Sequence, residues 1–132
     1  MPGMDGGKVV VFGAGGPVGA VIAPVLAEHY TLRLTDVADI EKVMARETSP
    51  IWPHWTEPPE PPHEWGLCDV TDYGRVRDAM EGCDAAINLA VNRSVSEPAF
   101  RINVVGVYNI MKAAAETGLR RVVHTGVLQR TS

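Results

Sequence analysis

The chain has 132 residues, of which 45% are hydrophobic and 21% charged, and this predicts one soluble globular domain over residues 1–132. The formal net charge is -4 and the basic residues are scattered, so nucleic acid is not an expected partner. The sequence has no apolar run of the roughly 18 residues that span a bilayer, no signal-peptide pattern at its start, and two isolated thiols, Cys68 and Cys83, which favours a cytoplasmic protein without a membrane partner.

Strands and helices alternate in the first half of the chain. Val9–Phe12 is an apolar run ended by glycines, which predicts a strand buried on both faces. Apolar residues at helical spacing then predict a helix from Pro17 to about Glu28. A second strand is expected in "YTLRLTDV", followed by a weak helix near Ile40–Arg46. The segment at about 47–65 is rich in proline and tryptophan, and its prolines predict a loop.

The second half continues the alternation. A short strand is expected in "WGLCDV", a capped helix in "TDYGRVRDAMEGC" and a strand in "CDAAINLAV". A longer helix is predicted over roughly Glu97–Thr117, with Gly118 suited to its C-terminal cap, and a last strand over Arg121–Thr125.

Such alternation predicts an α/β fold with a doubly wound parallel sheet, Rossmann-like, of about five strands in the order 3-2-1-4-5 with helices on both faces. Ligands of these sheets bind at the carboxyl ends of the strands, where the winding direction reverses between strands one and four. We therefore expect the functional residues to cluster there.

Glycines follow the first predicted strand in "GAGGPVG", with GxxGxxG spacing. Glycine lets the backbone turn sharply and approach a pyrophosphate, which the positive end of the next helix attracts. The candidate cofactor residues here are Gly13, Gly16, Pro17, Val18 and Gly19. The commoner GxGxxG spacing fails because its third glycine would fall at Val18. Taken alone, the motif also fits a turn whose glycines only allow tight packing of a strand on a helix.

Asp36 ends the second predicted strand, where the adenosine ribose of a dinucleotide would lie. A carboxylate there accepts both ribose hydroxyls and repels a 2′-phosphate. No arginine follows immediately, so NAD is expected in preference to NADP. The alternative for Asp36 is a polar residue that ends a strand at a turn.

From about Lys8 to Val123 the chain resembles the extended short-chain dehydrogenase/reductases, the family of NAD-dependent epimerases and dehydratases that act on sugars. Four motifs occur in the family's order, namely "GAGGPVG", "CDVTD", "INLAV" and "NVVGVYNIMKAAAETGLRRVVHTG". The resemblance implies the N-terminal, nucleotide-binding half of that fold and NAD as its cofactor.

The resemblance also implies roles for particular residues. Asp69 would accept a hydrogen bond from the adenine amino group and the backbone of Val70 would meet the ring. Leu89, Ala90 and Val91 would line the cofactor groove.

The resemblance also implies roles for Asn103 and for the segment after the fourth predicted strand. Asn103 matches an asparagine that supports the active site through the helix backbone, and we place it with the cofactor residues. The segment "NRSVSEPAF" lies where sugar-acid dehydrogenases of the family contact substrate, so Arg93, Ser94 and Ser96 are candidate ligands for a carboxylate or hydroxyls of a sugar or sugar-acid substrate.

These assignments have plainer alternatives. Asp69 could cap the following helix together with Thr71, "INLAV" could be a core strand, and Asn103 could be a polar residue on a helix face.

The family's chemistry uses a serine or threonine after strand five and a YxxxK pair further along, in which the tyrosine transfers the proton. No tyrosine follows Tyr108 and no lysine follows Lys112. Their spacing in "YNIMK" places them on the helix before strand five, so we interpret it as a coincidence. Thr125 is the nearest hydroxyl to the serine position and a weak catalytic candidate.

The sequence therefore predicts the NAD-binding half of a sugar epimerase, dehydratase or dehydrogenase, whose intact relatives transfer hydride. One alternative is a non-catalytic NAD-binding module that senses or scaffolds, and another is an inactive truncation product. Strand five would then be an exposed sheet edge, which predicts a homo-oligomer formed through it.

The proline-rich loop contains Trp52, Trp55, His54 and His63, and Trp65 follows it. We predict no metal site, because two histidines in such a loop lack ligands held at fixed spacing. The loop is expected to be a solvent-exposed insertion whose tryptophans fold over the adenine end or mediate self-association.

Overall fold

The structure, a computed structural model, describes residues 6–47, 49–92 and 94–125. Within those ranges strands and helices alternate along the chain. The elements are β1 (Lys8–Phe12), α1 (Pro17–Leu26), β2 (Thr31–Asp36), α2 (Ile40–Ala45), β3 (Glu64–Leu67), α3 (Tyr73–Met80), β4 (Ala85–Asn88), α4 (Glu97–Phe100), a π-helical segment (Arg101–Val105), α5 (Gly106–Thr117) and β5 (Arg121–His124).

The five strands form one parallel sheet in the order β3-β2-β1-β4-β5, which confirms the predicted fold and strand order. In this register, the carboxyl ends of the three central strands, β2, β1 and β4, lie at the same height in the sheet. Phe12 at the end of β1 lies opposite Thr35 of β2 on one side and Asn88 of β4 on the other. The residues that follow these three strands therefore emerge side by side at one edge of the sheet.

Side chains of β1 point alternately to two hydrophobic cores, one on each face of the sheet. Val10 and Phe12 pack with buried residues of α3 and α5, and Val9 and Val11 pack with β2 and α1. Both faces of β1 are thus covered, which explains why its sequence is apolar without alternation. Full burial of a side chain such as Phe12 contributes about 1.5–3 kcal/mol.

Some boundaries differ from the predicted ones. The first helix ends at Leu26, not at Glu28, because the chain turns there: the amides of His29 and Tyr30 both bond the Leu26 carbonyl. The third strand stops at Leu67, so that all of "CDV" lies beyond it and lines the cleft described below.

The predicted long helix is continuous in direction from Glu97 to Thr117 but changes its winding within Arg101–Val105. This π-helical segment holds one more residue per turn than an α-helix, and the spacing of apolar residues did not reveal it. Gly118 ends α5 in the left-handed conformation, with φ of 73°, as predicted.

β5 lies at one edge of the described sheet, and Val123 is 54% exposed there. Oligomer formation through this edge stays a prediction.

The last residue of β5, His124, has ring nitrogens in two different surroundings. Nδ1 lies 3.2 Å from Nδ2 of Asn88, whose Oδ1 is occupied by the amide of Ala90, so the Asn88 amide is the donor to Nδ1. Nε2 is buried and has no hydrogen-bond partner among the described residues. Burial lowers the pKa of His124 from its usual value, because a charged ring would lose its hydration.

This environment predicts that acid destabilises the fold through His124. The unfolded chain takes up the proton near pH 6.5, whereas the folded ring does so only at lower pH, so the unfolded state binds more protons between these values. The contribution of His124 to the free energy of unfolding is therefore complete above about pH 6.5 and declines as the pH falls. Glu64 titrates in a separate, lower pH range, because hydrogen bonds from Arg33 and Lys8 lower the pKa of its carboxyl from 4.5.

Urea unfolding of the wild type and of His124→Gln at several pH values, from about 7.5 to about 5, measures the effect. The wild type should lose more stability than the variant as the pH falls. If the free energies of unfolding of the wild type and of His124→Gln changed equally with pH over this range, the prediction would be contradicted.

Candidate functional site

The glycine turn that joins β1 to α1 packs against the end of β4. Gly13 has a φ of 73°, and a Cβ there would lie 2.5 Å from the Ala90 nitrogen. A Cβ on Gly19 would lie 2.0 Å from the carbonyl oxygen of Ala14. These two positions accept only glycine without a shift of the backbone, so they fix where α1 starts relative to β4.

Gly16 caps α1 in an extended conformation, and no side chain bonds the first amides of this helix. Pro17 occupies the first helical position, as predicted. A Cβ added to Gly16 would meet no atom within 4 Å, so the space in front of the helix is open. An uncapped helix start with open space in front of it fits a bound anion.

The carboxylate of Asp36 is only 8% exposed and accepts several hydrogen bonds. Oδ2 accepts from the amide of Gly15 at 2.8 Å, and Oδ1 accepts from the amide of Ala38 at 3.3 Å. Nη2 of Arg46 lies 3.5 Å from Oδ1. Asp36 thus connects β2 to the glycine turn and still has lone pairs for a ligand's hydroxyls.

Asp69 forms a tight turn after β3. Its Oδ1 accepts from both the amide and the hydroxyl of Thr71, at 2.9 and 2.7 Å. The cap of α3 is Asp72, whose Oδ1 accepts from the Arg75 amide at 3.2 Å. The alternative in which Asp69 caps this helix is therefore wrong, since a residue three positions later does so.

Leu89, Ala90 and Val91 leave the sheet directly after β4. The amide of Leu89 bonds the Phe12 carbonyl at 2.8 Å, so the pairing of β4 with β1 continues for one residue. The alternative reading of "INLAV" as core strand holds for Ile87 and Asn88 only.

The side chain of Asn103 holds the backbone of Asn92, the residue that follows Val91. Its Oδ1 accepts from the amide of Asn92 at 3.0 Å and its Nδ2 donates to the carbonyl of Asn92 at 2.7 Å. Asn103 lies in the π-helical segment, and it fixes the chain after β4 without lining the cleft described next. It is a positioning residue in this structure.

These segments surround a cleft of about 900 Å³ at the carboxyl edge of the sheet. All the predicted cofactor residues except Asn103 line it: Gly13, Gly16, Pro17, Val18, Gly19, Asp36, Asp69, Val70, Leu89, Ala90 and Val91. The cleft lies where β1 and β4 diverge, at the predicted switch point of the sheet.

The proposed substrate residues lie elsewhere. Ser94 bonds Asn92 and Ser96, while Ser96 caps α4 by accepting from the Ala99 amide at 3.2 Å. Neither serine lines the cleft. Arg93 lies outside the described residues.

Several lining residues were not predicted from the sequence. They come from four places, the β2–α2 region, the proline-rich loop, the turn between β3 and α3, and the helix after β4: Val37, Arg46, Trp52, Cys68, Thr71, Glu97, Pro98, Arg101 and Ile102. Burial raises the pKa of Cys68 to about 12, so its thiol stays protonated and is a poor nucleophile.

Tyr108 and Lys112 both belong to α5, and neither lines the cleft. Tyr108 is 63% exposed, and Nζ of Lys112 lies 4.5 Å from the ring centre of Tyr73. Thr125 donates its hydroxyl to the Asn88 carbonyl at 2.9 Å and does not line the cleft.

No group of acidic, histidine or cysteine side chains within the described ranges is arranged to hold a metal ion. None of the helices in that part of the chain combines the length and the apolar character needed to cross a membrane.

Known proteins resemble this chain in sequence. It is 32% identical to cinnamoyl-CoA reductase 1 of Petunia hybrida, in an alignment covering 95% of this chain and 36% of the reductase. It is 28% identical to the uronate dehydrogenase of Pseudomonas syringae pv. tomato, over 88% of this chain and 38% of that enzyme. The chain therefore spans a little over a third of the length of these relatives.

A solved structure agrees with the fold. Uronate dehydrogenase from Agrobacterium tumefaciens matches with a TM-score of 0.71 and 28% identity, over 91% of this chain and 40% of that one. A mutant of the same enzyme, solved in complex with NAD, matches with a TM-score of 0.70.

A family model also matches the sequence over residues 9–127, which include every element from β1 to β5 apart from Lys8. The chain belongs to the NAD dependent epimerase/dehydratase family.

Proposed function

We propose that the cleft binds NAD, and that the chain is the nucleotide-binding part of an NAD-dependent enzyme that acts on a sugar or sugar acid. The observation that carries this proposal is the cleft itself, which joins the glycine turn, Asp36, Asp69 and the residues after β4 in one cavity. These groups are far apart in the sequence, and the space that they surround at the edge of the sheet is left open.

The residues of the cleft fit the parts of a dinucleotide. The pyrophosphate would lie on the uncapped start of α1, where Gly16 leaves room. The adenosine ribose would bond Asp36, and the adenine would lie beside Asp69 and Val70. The nicotinamide end would extend along Leu89–Val91.

Asp36 also supports NAD in preference to NADP. A 2′-phosphate would bring two negative charges next to a carboxylate that is already nearly buried. Arg46 carries one positive charge and already lies 3.5 Å from the Asp36 carboxylate, so it would offset the added charges only in part. We therefore expect NAD to bind more tightly than NADP.

NAD supplies the hydride acceptor in this chemistry. The chain's own residues bind and orient it, and the uronate dehydrogenases among the relatives support a sugar acid as the substrate. A second candidate is a non-catalytic NAD-binding module, which is favoured by the position of Tyr108 and Lys112 outside the cleft lining and by the engaged hydroxyl of Thr125.

Calorimetric titration of the chain with NAD and with NADP tests the proposal. We expect NAD to bind in the micromolar range, about -8 kcal/mol, and NADP to bind more weakly. A folded chain that binds neither nucleotide would refute NAD binding. Formation of reduced nicotinamide on addition of a uronic acid would support the enzyme, and no reduction would support the non-catalytic module.

A further inference from the structure

The proline-rich loop between α2 and β3 is attached to the nucleotide-binding turn. Nε1 of Trp55 donates to the carbonyl of Ala14, within the glycine turn, at 2.8 Å. The Trp55 ring also packs edge-on against Trp65, with ring centres 5.4 Å apart. Nε1 of Trp65 in turn donates to the Ala38 carbonyl at 3.1 Å.

A second attachment lies at the end of the loop. The backbone amide of Leu32 in β2 donates to Nδ1 of His63 at 3.1 Å. The loop is thus tied by Trp55 to the glycine turn at the carboxyl end of the sheet and by His63 to the start of β2 at the opposite end. This arrangement differs from a solvated insertion with no contacts to the domain.

Trp52 precedes the anchored Trp55 by three residues and lines the cleft together with Asp36, Val37 and Arg46. Its side chain is 54% exposed, although a large aromatic ring gains from burial. A half-exposed tryptophan on the wall of a ligand cleft offers a flat apolar face to a planar group. The group expected at this end of the cleft is the adenosine, because Asp36 marks the position of its ribose.

We propose that Trp52 forms an aromatic wall for the adenosine half of the cofactor and that Trp55 holds this wall in place through the Ala14 carbonyl. This inference rests on the proposed binding of NAD. Every nucleobase has a π-face, so stacking on an indole adds affinity for the adenosine without selecting the nicotinamide.

The experiment is a set of calorimetric titrations with NAD and with ADP-ribose, which lacks the nicotinamide. Trp52→Ala should weaken both ligands by the same factor, about tenfold, and Trp52→Phe should restore most of the affinity because phenylalanine still stacks. The matched control is Ile51→Ala, since Ile51 is 85% exposed and does not line the cleft. Circular dichroism checks that each variant is folded.

The role of Trp55 needs a readout that general damage to the fold would not give. Trp55→Phe keeps an aromatic ring but loses the hydrogen bond to Ala14. It should weaken ADP-ribose in the wild-type background and have less effect when Trp52 is already alanine, because the two residues act through one wall. If Trp55→Phe weakened ADP-ribose binding equally in the wild type and in Trp52→Ala, the anchoring role of Trp55 would be overturned.

The outcomes for the wall itself are distinct. Unchanged affinity of Trp52→Ala for both ligands, with NAD still bound by the wild type, overturns the wall and leaves the proposed function intact. A loss seen with NAD but absent with ADP-ribose places Trp52 at the nicotinamide end and also overturns it. A wild-type chain that binds neither ligand overturns the proposed function together with the wall.

Discussion

Gly19→Ala should lower the free energy of unfolding by about 3 kcal/mol, at the upper end of the range for an overpacked core. The new Cβ would lie 2.0 Å from the carbonyl oxygen of Ala14, which is a backbone atom of a fully buried residue. A side chain could rotate away from such a contact, but this carbonyl cannot move without shifting α1 or the end of β1. Urea unfolding, compared with the wild type, measures the loss.

Gly16→Ala is the matched control for this substitution. A Cβ on Gly16 meets no atom within 4 Å, and the residue has an extended backbone that alanine adopts readily. Its cost should stay under about 1 kcal/mol, the scale of a helix-cap substitution. Similar losses in the two variants would contradict the account based on the Ala14 carbonyl.

Asp36→Asn should weaken NAD binding about a hundredfold while leaving the fold in place. The asparagine oxygen can still accept from the amide of Gly15, which lies 2.8 Å from Oδ2 of Asp36. The variant loses the charge that strengthens hydrogen bonds from both ribose hydroxyls, and each such bond contributes about 1.5–3 kcal/mol. Calorimetry with NAD and NADP measures the change.

NADP should suffer less than NAD from this substitution, because the repulsion of the 2′-phosphate is removed at the same time. Asp78→Ala, an exposed residue of α3, controls for the loss of one negative charge. An Asp36→Asn variant that binds NAD as tightly as the wild type would show that the carboxylate does not contact the ribose.

The strand order and the position of the cleft could be predicted because they follow from local patterns. β1 is a continuous apolar run, and the residues that end parallel strands must meet at one edge of the sheet. Asp36 was found in this way, since it ends a strand, whereas Asp69 and Leu89 were identified through the resemblance to a known family.

Other features depend on contacts between distant residues, which no local spacing encodes. Arg46 reaches Asp36 from the end of α2, ten residues later, and the absence of an arginine directly after Asp36 gave no hint of it. Trp52 lines the cleft, and Trp55, three residues later, bonds the Ala14 carbonyl; the composition of the loop does not tell which of its tryptophans does which. The π-helical segment escaped detection because Phe100, Val104 and Met111 continue a helical spacing across it, although all three side chains are exposed.

The sheet order has a consequence for how the chain acquires its cleft. β1 is central, yet it is made first, and its neighbour β4 follows only after two other strands and the proline-rich loop. A partial chain ending at β3 would contain the glycine turn and Asp36 but no opposite wall. Long-range pairing of this kind slows folding, because distant segments must meet before their contacts stabilise them. A nucleotide that binds only the complete cleft would stabilise the finished sheet and draw the last steps of folding to completion.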